Sequence, residues 1–217
     1  MGIDAYWPLF GLRLRTERLE LRLPTDEELV LFLEAALDGI HPPHVMPFTI
    51  PWTRRPRPDL ERSFLQYHWH SRAEWSPESW HLELGVFVDG EPVGFQGIGA
   101  DDFATTRSVA TGSWLTQRVQ GQGIGTEMRA AVLDLAFAHL DTLEARSKAV
   151  DWNQASRKVS ERLGYVEDGT KVLAVDGERT TEVRYVIDRD GWAQNRTHTV
   201  EVTGVDRCRT LFGLTED

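Results

Sequence analysis

One cysteine, three methionines and four tyrosines in 217 residues leave this chain poor in soft and redox-active side chains. A lone cysteine, Cys208, closes no intramolecular disulfide, so a cross-linked framework is excluded and a reducing compartment is expected. Long apolar runs are missing too. The run Leu29–Leu33 stops at Glu34, far short of the roughly 20 residues that cross a bilayer. Residues 1–6 lack the basic-then-apolar order of a secretory signal, and Tyr6 stands where a myristoylation signal needs Ser or Thr. A cytoplasmic protein without a membrane partner is the expectation, and Asn195-Arg196-Thr197 is then a chance match to the glycosylation sequon. Basic charge is scarce: 24 Lys and Arg against 34 Asp and Glu leave a net charge of −10. That balance, with a pI near 5.2, argues against general nucleic-acid binding and toward neutral or cationic partners. Metal-ligand sets are also wanting. His41 and His44 are split by Pro42-Pro43, His68 and His70 lie two apart on a helical stretch, and no acid or cysteine completes a tetrahedral set.

What is present is an ordinary globular composition, 41% hydrophobic and 27% charged, of a size for one domain spanning 1–217. Residues 13–23 alternate Leu19, Leu21 and Leu23 with charges and read as one strand closed by Pro24. Thr25 with Glu28 forms a capping box for a helix that ends at Gly39. A Pro- and Trp-rich insert covers 41–80; six of the ten prolines lie in 41–58, read as a stiffened loop, and 59–73 returns to helical spacing. From Trp80 the period becomes two. Leu82, Leu84, Val86 and Val88 share a face, Asp89-Gly90 turns into 93–98, and a third strand covers 108–115. A helix repeating Ile124, Met128, Ala131, Leu135 and Ala138 follows, then a strand at 145–150, a helix at 154–163 and a hairpin about Asp176-Gly177. The tail 189–217 reads as one helical turn and an alternating Val200/Val202 segment suited to pairing across an interface. The order predicts an α/β layered domain, its sheet mixed and mostly antiparallel, with one parallel crossover between 108 and 150.

The chemistry gathers at Trp114-Leu-Thr-Gln-Arg-Val-Gln-Gly-Gln-Gly-Ile-Gly-Thr-Glu127. A strand leads into Gly121, Gly123 and Gly125, and these open a helix, so unobstructed N–H groups and a helix dipole face whatever sits there. A Walker loop fails because no Gly-Lys-Ser/Thr follows. A dinucleotide fingerprint fails at Thr126 and demands an all-parallel unit. Gln120-x-x-Gly123-x-Gly125 is the remaining reading. It resembles the coenzyme A pyrophosphate loop of the GNAT acyltransferases. Two further segments carry the resemblance in the right order: Thr16-Glu-Arg-Leu-Glu-Leu-Arg22, and Asn153-Gln-Ala-Ser-Arg-Lys-Val-Ser-Glu-Arg-Leu-Gly-Tyr165. The chain is thus similar to the RimJ/RimL-type branch over about 13–188, and especially to actinobacterial members thought to accept succinyl-CoA.

The resemblance implies a GNAT fold with a central sheet, helices on both faces and a splayed acyl-CoA cleft, and an N-acyltransferase using acetyl-CoA or succinyl-CoA and no metal. The acceptor would be a primary amine of a protein N-terminus, a lysine or a small molecule. Family members often dimerise, so a homo-oligomer is expected. Trp114 and Leu115 would pair with pantetheine through their backbones, and Gln120, Gly121, Gln122, Gly123, Ile124, Gly125 and Thr126 would wrap the pyrophosphate. Asn153 would bond the pantetheine arm and Ser156 would protonate the leaving thiolate, since Ser160 stands where many relatives have a tyrosine. Arg118, Arg157, Lys158 and Arg162 would supply a local basic cluster. The acid expected on the third strand near 111–113 is missing; Asp101, Asp102, His81, Glu83 and Asp151 stay open as general bases. Trp52, Trp69, Trp75 and Trp80 would divide between packing and acceptor binding, with Arg54 and Arg55 placed to meet an anionic acyl group. The rival readings are a catalytically weak acyl-CoA-binding sensor, which binds without turnover, and a nicotinamide-dependent oxidoreductase, which binds NAD and no coenzyme A.

Overall fold

The computed structural model describes residues 1–215; the last two residues of the expected domain lie outside that range. Residues 13–23, read as one strand, form two: β1 (Arg13–Arg15) and β2 (Leu19–Arg22), paired antiparallel with Leu14 opposite Leu21. Thr16 makes the turn. Its N–H donates to the Leu19 carbonyl at 3.0 Å, and its hydroxyl accepts from the Leu19 N–H at 3.1 Å. Both strands keep their leucines on one buried face, and the period of two changes phase between Leu14 and Leu19, where the turn lies.

Helix α1 (Asp26–Asp38) starts on the Thr25–Glu28 capping box, and α2 (Asp59–Ala73) follows the Pro-rich segment. Then come β3 (Ser79–Val88), β4 (Glu91–Asp101), a single turn α3 (Phe103–Thr106) and β5 (Ser108–Leu115). Helix α4 (Ile124–Asp134) continues through one π-type turn, Leu135–His139, into β6 (Glu144–Val150). Helix α5 (Gln154–Arg162), β7 (Val166–Val175), β8 (Glu178–Asp188), α6 (Arg189–Asn195) and β9 (Glu201–Thr203) complete the chain order. Among the described residues one mixed nine-stranded sheet results, ordered β7-β8-β6-β5-β4-β3-β2-β1-β9, in which only β5 and β6 run parallel.

Alternation along β3 divides the core. Trp80, Leu82, Leu84 and Val86 join the larger cluster with α4 residues such as Met128 and Val132. The opposite face carries Phe87 and Phe95 against Leu29, Phe32 and Phe64 of α1 and α2. The tail does not wait for a second chain. Strand β9 pairs with β1 of its own sheet, Val202 opposite Leu14, and α6 just before it is docked: Trp192 stacks on Phe137 at 5.4 Å and Arg196 reaches Asp134 at 2.6 Å. Two tryptophans of the insert are packing groups. Trp75 stacks on Trp80 at 5.8 Å, and Phe212 lies edge-on to both.

Trp80 is buried where β3, α3 and the tail meet. Trp80→Ala should lower the unfolding free energy by about 3–5 kcal/mol in urea titrations.

Candidate active site

Strand β5 pairs with β4 from Gly99–Ala110 to Gly94–Leu115, and β6 pairs with β8 along its whole length. Between themselves β5 and β6 share only Ser108–Glu144, Val109–Ala145 and Ala110–Arg146. From Thr111 onward they separate, leaving the facing backbone edges of β5 and β6 unpaired with each other. Arg129 of α4 sits in the fork: its Nη1 donates to the hydroxyls of Ser147 on β6 and Ser160 on α5, each at 3.1 Å, and its Nη2 to Ser113 on β5 at 3.4 Å. Arg129 is only 3% exposed and forms no ion pair among the described residues. Burial holds its pKa below the ordinary arginine value. The guanidinium thus tethers both limbs of the fork from beneath.

At the open end of the fork the chain makes the glycine turn. Gly121 and Gly123 have φ of +75° and +85°, a region costly for residues with Cβ. Gly123 is the N-cap of α4, so the first N–H groups of that helix have no partner within it. The Gln120 amide donates to the carbonyls of Ile40 at 2.7 Å and Leu115 at 2.8 Å, and Gln122 donates to Arg118 at 3.0 Å. Those side chains brace the turn and leave its backbone to face the cleft.

A second brace joins two of the segments noted above. Glu127, in the first turn of α4 and 2% exposed, accepts from the Thr16 hydroxyl at 2.6 Å and from Arg18 Nε at 2.8 Å and Nη2 at 2.5 Å. Arg18 also donates to the Gln122 carbonyl at 3.1 Å. Burial would raise the Glu127 pKa, but the Thr16 and Arg18 bonds outweigh it and hold the carboxyl below its usual 4.5.

Across the fork, Asn153 caps α5 by accepting from the Ser156 N–H at 3.1 Å. Ser156 is half-buried, and its hydroxyl donates to no helix carbonyl among the described residues, whereas Ser160 is buried and engaged with Arg129. Two of the four residues expected to form a basic cluster are engaged elsewhere. Arg157 turns to Tyr185 at 2.9 Å and Glu167 at 3.0 Å, and Arg118 holds the Pro92 carbonyl at 3.1 Å.

The α1/α2 face of the sheet is aromatic beside Trp114: Trp52 and Phe95 lie 6.0 and 5.8 Å away, and Phe64 6.4 Å. Trp52 therefore belongs to this wall, while Trp69 is exposed, its indole bonded to Asp26 at 3.3 Å. Arg54 is ion-paired to Asp176 of the β7–β8 turn, which draws the insert toward the far limb of the fork and leaves Arg55 as the uncommitted member of that pair. Sequence reading missed Arg129 and the Glu127 brace. Arg129 had one signal, a basic residue at an inward position of an otherwise apolar helix. The described residues contain no group of three or more side chains that could hold a metal.

A family profile described as the acetyltransferase (GNAT) domain matches residues 18–166, and the chain belongs to that family. Its similarities fall among proteins of the RimJ/RimL kind. Bacillus subtilis (strain 168) YdaF, whose name assigns it provisionally to ribosomal N-acetyl transfer, is 28% identical over 113 residues; the match spans 51% of this chain and 61% of that relative's length. Mycobacterium smegmatis RimJ, solved with a CoA disulfide, aligns over 91% of this chain and 92% of its own at TM-score 0.64 and 22% identity. RimL, the ribosomal L7/L12 α-N-protein acetyltransferase solved with coenzyme A, aligns over 81% and 97% at TM-score 0.64 and 17% identity. At such identities these structures speak for the fold.

Glu127→Gln should cost about 1–3 kcal/mol at pH 7, the scale of hydrogen bonds to a charged group. Because the folded-state pKa of Glu127 is depressed, that contribution is present above the ordinary carboxylate range and lost as pH falls below it. The Tm gap between wild type and variant should therefore be widest at neutral pH and shrink below about pH 4.5.

Proposed function

We propose that the chain is an acyl-CoA-dependent N-acyltransferase that acylates a primary amine. The observation that supports this most directly is the fork between β5 and β6 opening onto the glycine turn at the N-terminus of α4. A coenzyme A thioester supplies the activated acyl group. The chain's own parts are suited to holding it: the β5 backbone at Trp114 and Leu115 offers a strand edge, Gly121, Gly123, Gly125 and their neighbours offer N–H groups to phosphate, and the Asn153 amide stands at the opposite limb. Ser156, its hydroxyl uncommitted, is placed to give a proton to the departing thiolate.

Acyl transfer by direct attack needs the amine held beside the thioester more than it needs elaborate chemistry. The aromatic wall of Trp52, Phe64 and Trp114 suits an amine that arrives as a cation. Relatives named for ribosomal proteins favour a protein α-amine as acceptor. The donor is acetyl-CoA in the simplest case. Succinyl-CoA as donor would rely on Arg55, since Arg54 is committed to Asp176.

Calorimetry with acetyl-CoA and succinyl-CoA, followed by thiol release with amines, tests the reading; binding of neither thioester would overturn it. Gly123→Ala should weaken acetyl-CoA binding, because φ of +85° and the approach to phosphate both disfavour a Cβ. Ser156→Ala should keep that affinity and lower kcat by about 100-fold, the size of a lost general acid.

A further inference from the structure

The α1/α2 face of the sheet carries a lane almost without side chains. Gly97 and Gly99 of β4 lie opposite Gly112 and Ala110 of β5, and Gly112 and Ala110 are exposed. One end of the lane is the aromatic pair Phe95–Trp114, the next register along. The side remote from the fork is formed by β3, where Glu83 pairs with Gly97 and His81 with Gly99.

Glu83 leans across this lane. A Cβ on Gly97 would fall 2.7 Å from Glu83 Oε1 and 3.0 Å from His81 Nε2, so glycine is what lets the carboxylate lie over β4. A Cβ on Gly112 would meet nothing within 4 Å. Strands sit about 4.8 Å apart, so the carboxylate over Gly97 is roughly one strand spacing from Gly112, next to the residues where β5 leaves β6. Oε1 is fixed by two partners, the Tyr67 hydroxyl of α2 at 2.7 Å and His81 Nε2 at 2.8 Å. No donor among the described residues reaches Oε2 within hydrogen-bond distance.

We propose that Glu83 is the catalytic base of the acyl transfer: its carboxylate receives the acceptor ammonium across the glycine lane and takes its proton, with His81, whose Nε2 contacts the same carboxylate, passing that proton to solvent. The step balances. The ammonium gives one proton to Glu83, its nitrogen lone pair forms the C–N bond at the thioester carbonyl, the C–S bond breaks to thiolate, which takes a proton from Ser156 or solvent, and the nitrogen then releases its second proton, which restores that donor and leaves the neutral amide. A side-chain-free floor admits an amine on a slender, unbranched stem and leaves the aromatic wall to one flank. This assignment rests on the acyltransferase reading above and answers why β5 itself carries no acid near 111–113.

The groups facing the pair are Tyr67, His68 and Arg72 of α2 and Asp101 of β4. Burial lowers His68 to about 4, so it stays neutral at working pH. Burial pushes Tyr67 up, keeping it a donor. Burial would raise Glu83, but its bonds with His81 and Tyr67 prevail and keep it ionised. Burial would lower His81, but the Glu83 bond and the Asp101 charge prevail and raise it above 6.5. A protonated His81 cannot relay a proton, so kcat/KM should fall as pH drops through that raised value.

The test uses acetyl-CoA with tyramine, spermidine and trialanine, taking whichever is turned over fastest. Glu83→Gln should lower kcat by about 100-fold or more while acetyl-CoA affinity and Tm stay near wild type. His81→Gln, which spares the carboxylate, should cost less and abolish the acid limb of the pH profile. Undiminished turnover in Glu83→Gln, or an acid limb unchanged in both variants, overturns the assignment and leaves the acyltransferase reading standing. A Glu83→Gln protein that loses acetyl-CoA binding and Tm together, with His81→Gln keeping the wild-type profile, marks the cluster as structural and also overturns it. Wild type that turns over none of the three amines overturns the acyltransferase reading, and this assignment with it.

Discussion

A parallel strand pair in the middle of a sheet ordinarily keeps its ladder, because buried N–H and C=O groups left unpaired are costly. Here the ladder between β5 and β6 stops after three residue pairs. Each strand is anchored on its outer side, β5 to β4 and β6 to β8, so neither can close the gap by shifting. The fork is therefore a fixed feature of the sheet. Everything that surrounds it follows from that: the glycine turn lies at its mouth, α4 and α5 cover one face, and the α1/α2 aromatic wall guards the other.

The buried Arg129 belongs to the same logic. A guanidinium without a carboxylate partner is an expensive core residue, and an apolar side chain of similar volume would serve packing as well. Its three serine partners lie on β5, β6 and α5, the three elements that must stay apart yet in register. Polar tethers of defined length hold a separation that simple hydrophobic contact would tend to collapse. Glu127 plays a matching part at the mouth, where its bonds to Thr16 and Arg18 fix the first turn of α4 to the β1–β2 turn.

Element positions were legible in the sequence wherever a period was bounded by turn chemistry: the Thr25–Glu28 cap, Asp89-Gly90, and the strand–glycine–helix passage at 114–127 all appear in place. Two features were not. The β1–β2 turn was hidden because each short strand alternates on its own, and only a change of phase between Leu14 and Leu19 marks it. The β9–β1 pairing was hidden because three residues cannot declare a partner. At the site, the glycine turn announced itself through local spacing. The Glu127–Arg18 bond spans 109 residues, and the lane between Glu83 and Gly112 exists only through cross-strand register, so neither had a local signature. Arg157 left the expected basic cluster for a related reason, since its partners Tyr185 and Glu167 lie on neighbouring strands.

Five of the eight tryptophans fall into two separate groups, and the separation has an optical consequence. Trp75 and Trp80, stacked at 5.8 Å with Trp7 at 6.3 Å from Trp75, sit where the N-terminal turns, the insert and the tail converge. Trp52 and Trp114, 6.0 Å apart, lie on the α1/α2 face beside the fork. The first group is an internal gauge of whether both chain extensions are docked; the second is exposed to whatever enters the lane. With Trp69, Trp152 and Trp192 replaced, the remaining fluorescence would carry two separate signals, one from the docked extensions and one from the lane.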